Sequence, residues 1–197
     1  GLDFVAMTVR GALSATATTG NITQSGALTI TGTTTLVTSA DNATITLNDA
    51  GNAFTGKLLI TTNDTGVETD GDVEIDGGTT NLIIGASTIE GDLDLVSGGT
   101  ITDDGIVTVR GAISATTDAN NSDITLDSLE VGGAYILTPH GTGAVTIVNA
   151  DGLDFVAMTV RGALSATATT GNITQSGALT ITGTTTLVTS ADNATIT

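Results

Sequence analysis

Apolar and polar residues alternate with a period of two over many short stretches of this chain. Val73 and Ile75, for example, alternate with Asp72, Glu74 and Asp76. A period of two is typical of a β-strand with one buried face. Gly, Asn and Asp interrupt the stretches at short intervals, as turn residues do. The pattern therefore predicts an all-β chain of many short strands.

Glycines mark a second period of about 20 residues. Five stretches share an apolar pattern on both sides of one Gly, and these anchors are spaced by 21, 39, 20 and 20 residues. We interpret the gap of 39 residues as two units. A unit with three short strands cannot bury its apolar face alone, so copies must stack at about 4.8 Å. This predicts a parallel β-helix, a solenoid with coils of about 20 residues in which Gly turns the corners. The anchors are Gly11, Gly32, Gly71, Gly91 and Gly111.

A longer repeat contains the short one. Residues 152–197 are identical to residues 1–46, at an offset of 151 residues. We interpret residues 1–151 as one full repeat of seven or eight coils, and residues 152–197 as the start of the next repeat in the same continuous solenoid. A longer array explains the identity, and an artificial duplication of one end is the alternative. The anchors that recur in the second copy are Gly162 and Gly183.

Two other all-β architectures fit the pattern less well. Immunoglobulin-like domains call for a period of about 100 residues and usually a core aromatic residue. A calcium-loaded β-roll requires a nonapeptide motif that begins Gly-Gly. Gly77-Gly78 and Gly98-Gly99 do not continue in that way. The parallel β-helix remains the favoured fold.

Two stretches of the chain resemble filamentous-haemagglutinin-type repeats. They are ITQSGALTITGTTTLVTSADNATITLNDAGNAFTG (residues 22–56) and STIEGDLDLVSGGTITDDG (residues 87–105). Such repeats occur in large bacterial surface proteins, including two-partner-secreted adhesins and autotransporter passenger domains. The resemblance implies a right-handed β-helix, export to the cell surface, and a role in adhesion, matrix or fibre formation. It carries no catalytic motif over to this chain.

Composition and charge narrow the set of partners. The formal charge is −17, with four cationic side chains, so the basic surface that nucleic acid binding needs is absent. The sequence contains no Cys and no apolar run of transmembrane length. Asn-x-Ser/Thr triplets, the acceptor sequence for N-glycosylation, begin at Asn21, Asn42, Asn63 and Asn120. We expect self-association with neighbouring repeats or chains, and a secreted or cell-surface location.

Catalysis is not expected of this sequence. Lys57 and His140 are the single Lys and the single His, and no G-x-S-x-G, H-E-x-x-H or P-loop pattern is present. His140 follows Pro139 in a predicted turn. We therefore predict a protein that is not an enzyme and that needs no cofactor, with Ca²⁺ as the one candidate ligand.

Carboxylates carry that calcium hypothesis. With a register of 20 residues, Asp72 stacks on Asp92 and Glu74 on Asp94, about 5 Å apart. Like charges at this distance repel, so the carboxylates are either well solvated or bridged by a hard cation such as Ca²⁺. We favour the solvated face. The candidate ligands are Asp70, Asp72, Asp76, Asp92 and Asp94.

One column of the predicted stack has complementary charges. The residues just before the anchor glycines include Glu90 and Arg110, which are 20 residues apart. In register they form an ion pair across one coil boundary. An exposed pair contributes at most about 1 kcal/mol, so we expect it to set register more than stability.

Three functions are compatible with these features. The first is an extracellular structural filament or cell-surface fibre, in which stacking of coils is itself the function. The second is the stalk of an adhesin that binds cell-surface or matrix ligands, with the less regular stretch from Asp118 to Asp151 as its binding surface. The third is an ice- or mineral-binding face, because outward Thr residues flank Ile30 and Ile45.

Overall fold

The computed structural model describes residues 1–66, 70–119 and 121–197, and it confirms the all-β solenoid. The chain winds into about nine coils of roughly 21 residues. The predicted repeat stretch around Gly71 begins at Val67, which lies outside the described residues. The described residues include no helix with the length and hydropathy of a membrane span.

Two nine-stranded parallel sheets run along the solenoid, and each coil contributes one strand to each of them. We number the strands in chain order. Sheet 1 contains β1 (Leu2–Phe4), β4 (Ile22–Gln24), β7 (Ile45–Leu47), β10 (Val73–Asp76), β12 (Leu93–Ser97), β14 (Ile113–Thr117), β16 (Tyr135–Thr138), β18 (Leu153–Phe155) and β21 (Ile173–Gln175). Sheet 2 contains β3 (Leu13–Ala17), β6 (Thr34–Thr38), β9 (Leu58–Thr61), β11 (Leu82–Ile89), β13 (Ile101–Val109), β15 (Ile124–Val131), β17 (Val145–Asn149), β20 (Leu164–Ala168) and β23 (Thr185–Thr189).

Two short sheets supply a third side to some coils. One has three strands and lies in coils 1 to 3, and the other has two strands and lies in coils 8 and 9. In coils 4 to 6 the third side is formed by the long strands β11, β13 and β15. The pairing of β11 with β13 and that of β13 with β15 each contain a register shift, and the residues after this shift form the third side. The short strands are β2 (Met7–Val9), β5 (Leu28–Ile30), β8 (Ala53–Phe54), β19 (Met158–Val160) and β22 (Leu179–Ile181).

The inward positions of the strands form a dry core of aligned aliphatic side chains. Ile45 pairs with Val73 in sheet 1, and Leu93 and Ile113 follow in the same column. Each of these four side chains is at most 1% exposed. Parallel stacking places like residues above one another, so the core grows by one layer per coil. The alternation seen in the sequence is the source of this core.

The single ladder of anchor glycines predicted from sequence is wrong. Gly32 donates its N–H to the Gly11 carbonyl at 3.0 Å, and Gly56 follows Gly32 in the same column, before strands of sheet 2. Gly56 comes 24 residues after Gly32, so the 39-residue gap is one coil plus one further side. A different column lies before strands of sheet 1. Its members are Gly71, Gly91, Gly111 and Gly133.

The second repeat copy returns to the first column. Gly162 lies against Gly143, and Gly183 lies against Gly162, before strands of sheet 2. These glycines are required by close approach, because a Cβ on Gly162 or Gly183 would overlap the backbone of the coil below. The anchors are therefore corner residues as predicted, but they occupy two edges of the solenoid.

A shift by one side of the solenoid explains the two columns. The similar stretches RGALSATA and RGAISATT form β3 on sheet 2 and β14 on sheet 1. The shift follows β9, where the described residues of the polar stretch 62–72 form no strand. The next Gly-led strand, β10, therefore follows β9 by one side and lies on sheet 1, instead of following it by one full coil on sheet 2. A polar stretch cannot supply the inward apolar side chains that a solenoid strand needs.

The 151-residue repeat spans seven coils. β1 to β3 and β18 to β20 have the same sequence and lie seven coils apart. At about 4.8 Å per coil, the repeat advances about 34 Å along the axis. The described part of the stretch from Asp118 to Asp151 is as regularly paired as its neighbours, through β15, β16 and β17. The expected turn at Pro139-His140-Gly141 is found, with the Gly143 N–H donating to the His140 carbonyl at 3.0 Å.

Candidate functional site

The predicted register of the carboxylates is confirmed. Glu74 of β10 pairs with Asp94 of β12 on the outward face of sheet 1. Asp72 lies one coil below Asp92 at the preceding corner, and its Oδ1 accepts the Asp92 N–H at 2.8 Å. We call Asp72, Glu74, Asp92 and Asp94 the acidic column. They line a groove of about 310 Å³.

The corner carboxylates of the acidic column serve as backbone acceptors. The Oδ1 atom of Asp92 accepts the N–H of Ala112 at 2.7 Å, one coil further on. Each of these Asp side chains therefore satisfies an N–H at a corner, where strand pairing is interrupted. These hydrogen bonds form between protein groups and require no metal. This role of Asp72 and Asp92 was missed by sequence reasoning, which considered them as members of a solvated acidic face or as metal ligands.

The remaining calcium candidates do not join the acidic column. Asp76 lies at the end of β10, and its Oδ1 accepts the Gly78 N–H at 2.7 Å. Burial raises the pKa of Asp76, and the nearby charges of Asp118 and Asp49 raise it further. Asp70 precedes the corner at Gly71. Within the described ranges, no group of three or more His, Cys, Asp and Glu side chains is arranged to hold a metal. Calcium binding therefore stays a prediction.

Arg110 lies at the centre of an ion-pair cluster. Its guanidinium Nη1 is 3.7 Å from a carboxylate oxygen of Glu90, as the register predicted, and 3.1 Å from Oδ2 of Asp64. The Asp64 side chain is 1% exposed, and its other oxygen accepts the Gly66 N–H. Arg110 thus holds the polar connection after β9 across two coil boundaries. Asp64 is 46 residues from Arg110, and no periodic pattern links the two positions.

A second long-range ion pair lies on sheet 2. The Nζ atom of Lys57 is 2.9 Å from Oδ2 of Asp104, two coils away. Gly85 lies between them, where the Lys57 side chain passes over the backbone of β11. A side chain on Gly85 would obstruct that path. Both partners are substantially exposed, so the pair contributes at most about 1 kcal/mol.

Side-chain oxygens of Asn and Asp cap the corners along the whole solenoid. Asn21 accepts the Thr44 N–H at 3.0 Å, and Asn172, its copy in the second repeat, accepts the Thr195 N–H at 2.9 Å. In each case the coil above donates to the coil below. The Asn residues that seemed to be mere turn formers therefore carry coil-to-coil contacts. Asn120 lies outside the described residues.

Two buried amides replace missing strand contacts inside the solenoid. Asn149 is fully buried, and its Oδ1 accepts the Val131 N–H at 2.9 Å while its Nδ2 donates to the Val131 carbonyl at 3.1 Å. The amide thus pairs with β15 as a further strand residue would. Asn52, 2% exposed, forms reciprocal hydrogen bonds with the Gln24 amide at 2.9 and 3.0 Å.

A groove of about 550 Å³ runs beside Arg110 on the outward face of coils 4 to 8. It exists because the third side formed by β11, β13 and β15 ends at coil 6, where Asn149 caps β15. Glu130, Asp151 and Thr170 contribute polar groups to it. Ile106, 56% exposed, lines an adjoining cavity of about 250 Å³. The groove overlaps the stretch that the sequence singled out for ligand binding.

The chain matches a family model described as repeats of unknown function (DUF5649), over residues 1–61, 70–138 and 142–197. These ranges cover most of the chain, so the chain belongs to this family. Searches of curated proteins and of solved structures found no match.

Proposed function

We propose that this member of the repeat family is an extracellular structural protein in which the stack of coils is itself the functional element. It forms a filament or cell-surface fibre by continuing the solenoid from one 151-residue repeat to the next. Its partners are neighbouring repeats and further copies of the same sequence. The resemblance to filamentous-haemagglutinin-type repeats supports the location outside the cell.

The observation that carries this proposal is the contact between the two repeats. β17 of the first repeat pairs with β20 of the second over five residues, from Val145–Leu164 to Asn149–Ala168. Tyr135 pairs with Phe155 in sheet 1, and their rings lie 6.1 Å apart. The coils at the repeat boundary pack as coils within a repeat do, and no linker separates the two repeats. This supports a continuous rod rather than separate domains joined by flexible linkers.

The surface of the rod suits a filament. The formal charge of −17 per chain separates neighbouring rods by repulsion and keeps them soluble. Asn caps and glycine corners act between adjacent coils, and the ion pairs of Arg110 with Asp64 and of Lys57 with Asp104 each span two coil boundaries. In an array of 151-residue repeats each of these features would recur in every repeat, so stability would be distributed along the axis.

Electron microscopy and fibre diffraction of the protein in its native material test the proposal. We expect uniform fibres with a meridional spacing of about 4.8 Å and an axial repeat of about 34 Å, from seven coils. Compact particles without these spacings would contradict a filament. Labelling of intact source cells with an antibody tests the location, and signal only after lysis would contradict it.

The groove beside Arg110 favours a second candidate function, the stalk of an adhesin. It offers carboxylates, hydroxyls and the exposed Ile106 to a cell-surface or matrix ligand. A screen against matrix proteins and glycans, repeated with Glu130→Lys, tests this function. Loss of ligand binding in the Glu130→Lys variant would support the adhesin function. Unchanged binding would exclude the groove as the ligand-binding site.

A further inference from the structure

A change in the path of the chain leaves a groove where the first repeat meets the second. Coil 7 runs from β16 to β17 through the turn at residues 139–143, whereas coil 8 has the additional strand β19 between β18 and β20. In the described part of the chain β19 pairs on one edge, with β22 of coil 9. Its other edge faces the turn of coil 7 across a groove of about 460 Å³. We call this the junction groove; its lining residues include Asp118, Thr138, His140, Thr159 and Arg161.

The open edge of β19 presents a backbone donor and a backbone acceptor to the junction groove. The Met158 N–H donates to the Ala178 carbonyl of coil 9 at 3.2 Å. The Val160 carbonyl accepts the Thr182 N–H of coil 9 at 3.1 Å. Because backbone groups alternate in direction along a strand, the N–H and the carbonyl of Thr159 point to coil 7. Neither has a hydrogen-bond partner among the described residues, and Thr159 is exposed.

The opposite wall of the junction groove is a turn held in place by hydrogen bonds. The His140 N–H donates to Oγ1 of Thr117 in coil 6 at 2.9 Å, and the Gly143 N–H donates to the His140 carbonyl at 3.0 Å. Pro139 is buried and has no N–H, so this turn lacks a donor that strand pairing with β19 would need. Thr138 and His140 are exposed beside it. A wall that is already formed loses little conformational entropy when a ligand binds.

Arg161 is a cation of the junction groove that has no ion-pair partner. Lys57 and Arg110 each form an ion pair, whereas Arg161 forms none within the described ranges. The Arg161 carbonyl accepts the Thr182 hydroxyl at 2.8 Å, which fixes the backbone at this position. One carboxylate, that of Asp118, also lines the groove. The groove therefore offers a fixed positive charge, one carboxylate and several hydroxyl groups.

We propose that the junction groove binds an acidic sugar that is one unit of a polysaccharide. The planar guanidinium of Arg161 matches the geometry of a carboxylate. The hydroxyls of Thr138 and Thr159 and the free backbone groups of Thr159 pair with the sugar hydroxyls. The Asp118 carboxylate accepts from a sugar hydroxyl, and its charge disfavours a dianion such as phosphate. The volume of the groove lies in the range of small-molecule sites, about 300–1,000 Å³.

Two successive repeats build this site together. Asp118, Thr138 and His140 belong to residues 1–151, whereas Thr159 and Arg161 belong to the second repeat. In an array every junction would carry one groove, and successive grooves would lie about 34 Å apart. A polysaccharide that spans several junctions would bind more tightly than its single units. The inference goes beyond the proposed filament, because the groove is complete within this chain and its binding is measured on the chain alone.

Isothermal titration with defined sugars tests the ligand class. The probes are trimers of galacturonic acid, mannuronic acid and sialic acid, at low salt with EDTA so that no divalent cation bridges a probe to other carboxylates. We expect saturable binding of at least one trimer, with one site per chain. Its methyl ester, which has the same ring and no charge, and inorganic phosphate should both bind much more weakly. Absence of saturable binding for all three trimers, or equal binding of the ester or of phosphate, would overturn the proposal.

Substitution of Arg161 tests the position of the site. Arg161→Gln should weaken binding of the trimer by about tenfold or more, and Arg161→Lys, which keeps the charge and loses the planar fork, should bind with intermediate affinity. Lys57→Gln removes one positive charge from coil 3 and is the matched control, expected to change the affinity by less than about twofold. Equal losses from Arg161→Gln and Lys57→Gln would show a general charge effect and would contradict the site.

Proton NMR of the single His gives a readout inside the junction groove. The imidazole C–H signals belong to His140, since the chain has one His. At constant pH these signals should shift saturably with the trimer that binds and should not shift with its methyl ester. The same midpoint is expected in the NMR and calorimetric titrations. Calorimetric binding that leaves the His140 signals unchanged would place the sugar elsewhere on the surface and would overturn the proposal.

Discussion

Replacing Asn149 with Ala is the most direct test of how the solenoid manages the end of its third side. The amide accepts from the Val131 N–H and donates to the carbonyls of Val131 and Gly152, at 2.9, 3.1 and 2.7 Å. Val131 is 2% exposed, so water reaches its backbone poorly. Each buried polar group left without a partner costs about 1–3 kcal/mol. The two Val131 groups are buried and the Gly152 carbonyl is partly buried, so we expect a loss of about 3 kcal/mol.

Urea denaturation followed by circular dichroism measures this loss. Asn21→Ala is the matched control, because the Asn21 amide is exposed and accepts a single N–H, from Thr44. We expect the control to lose about 1 kcal/mol or less. Hydrogen exchange should also show a local change, with the Val131 N–H losing protection first. The reasoning is refuted if Asn149→Ala costs no more than Asn21→Ala.

Four further changes have outcomes that follow from the described contacts. Arg110→Glu should lower the free energy of unfolding by about 2 kcal/mol, because it leaves the buried Asp64 side chain without its partner. Arg161→Glu makes the same charge change, and an equal loss from it would contradict a stabilising role of the Arg110 cluster. Tyr135→Phe should stabilise by about 1 kcal/mol in thermal melts, because the Tyr135 hydroxyl is buried with no hydrogen-bond partner among the described residues; a lower melting temperature would point to a bound water. Asp76→Asn should raise the stability of the protein at neutral pH but not near pH 3. The pKa of Asp76 is raised in the folded protein, so ionisation of this carboxyl opposes folding. The stability of the wild-type protein should therefore fall as pH rises through that pKa. Isothermal titration with Ca²⁺ should give no saturable heat, since the acidic column already accepts backbone N–H groups; saturable heat with a rise in melting temperature would restore the calcium hypothesis.

Sequence was sufficient for the strands, the coil length and much of the register. Alternation with a period of two fixes which side chains turn inward, and stacking at one strand spacing then brings equivalent positions together. Glu74 opposite Asp94 and Glu90 beside Arg110 follow from these two facts alone.

Tertiary structure decided which side of the solenoid each strand occupies. The nearly identical stretches that form β3 and β14 lie on different sheets. The described residues of the polar connection after β9 form no strand, and this connection changes the side on which Gly-led strands lie in the coils up to the second repeat. The pairing of Arg110 with Asp64 depends on the path of that connection, and the pairing of Asn149 with Val131 depends on where β15 ends. Local patterns determine a strand and its buried face. The side of the solenoid on which a strand lies depends instead on the lengths of all the strands and corners that precede it in the chain.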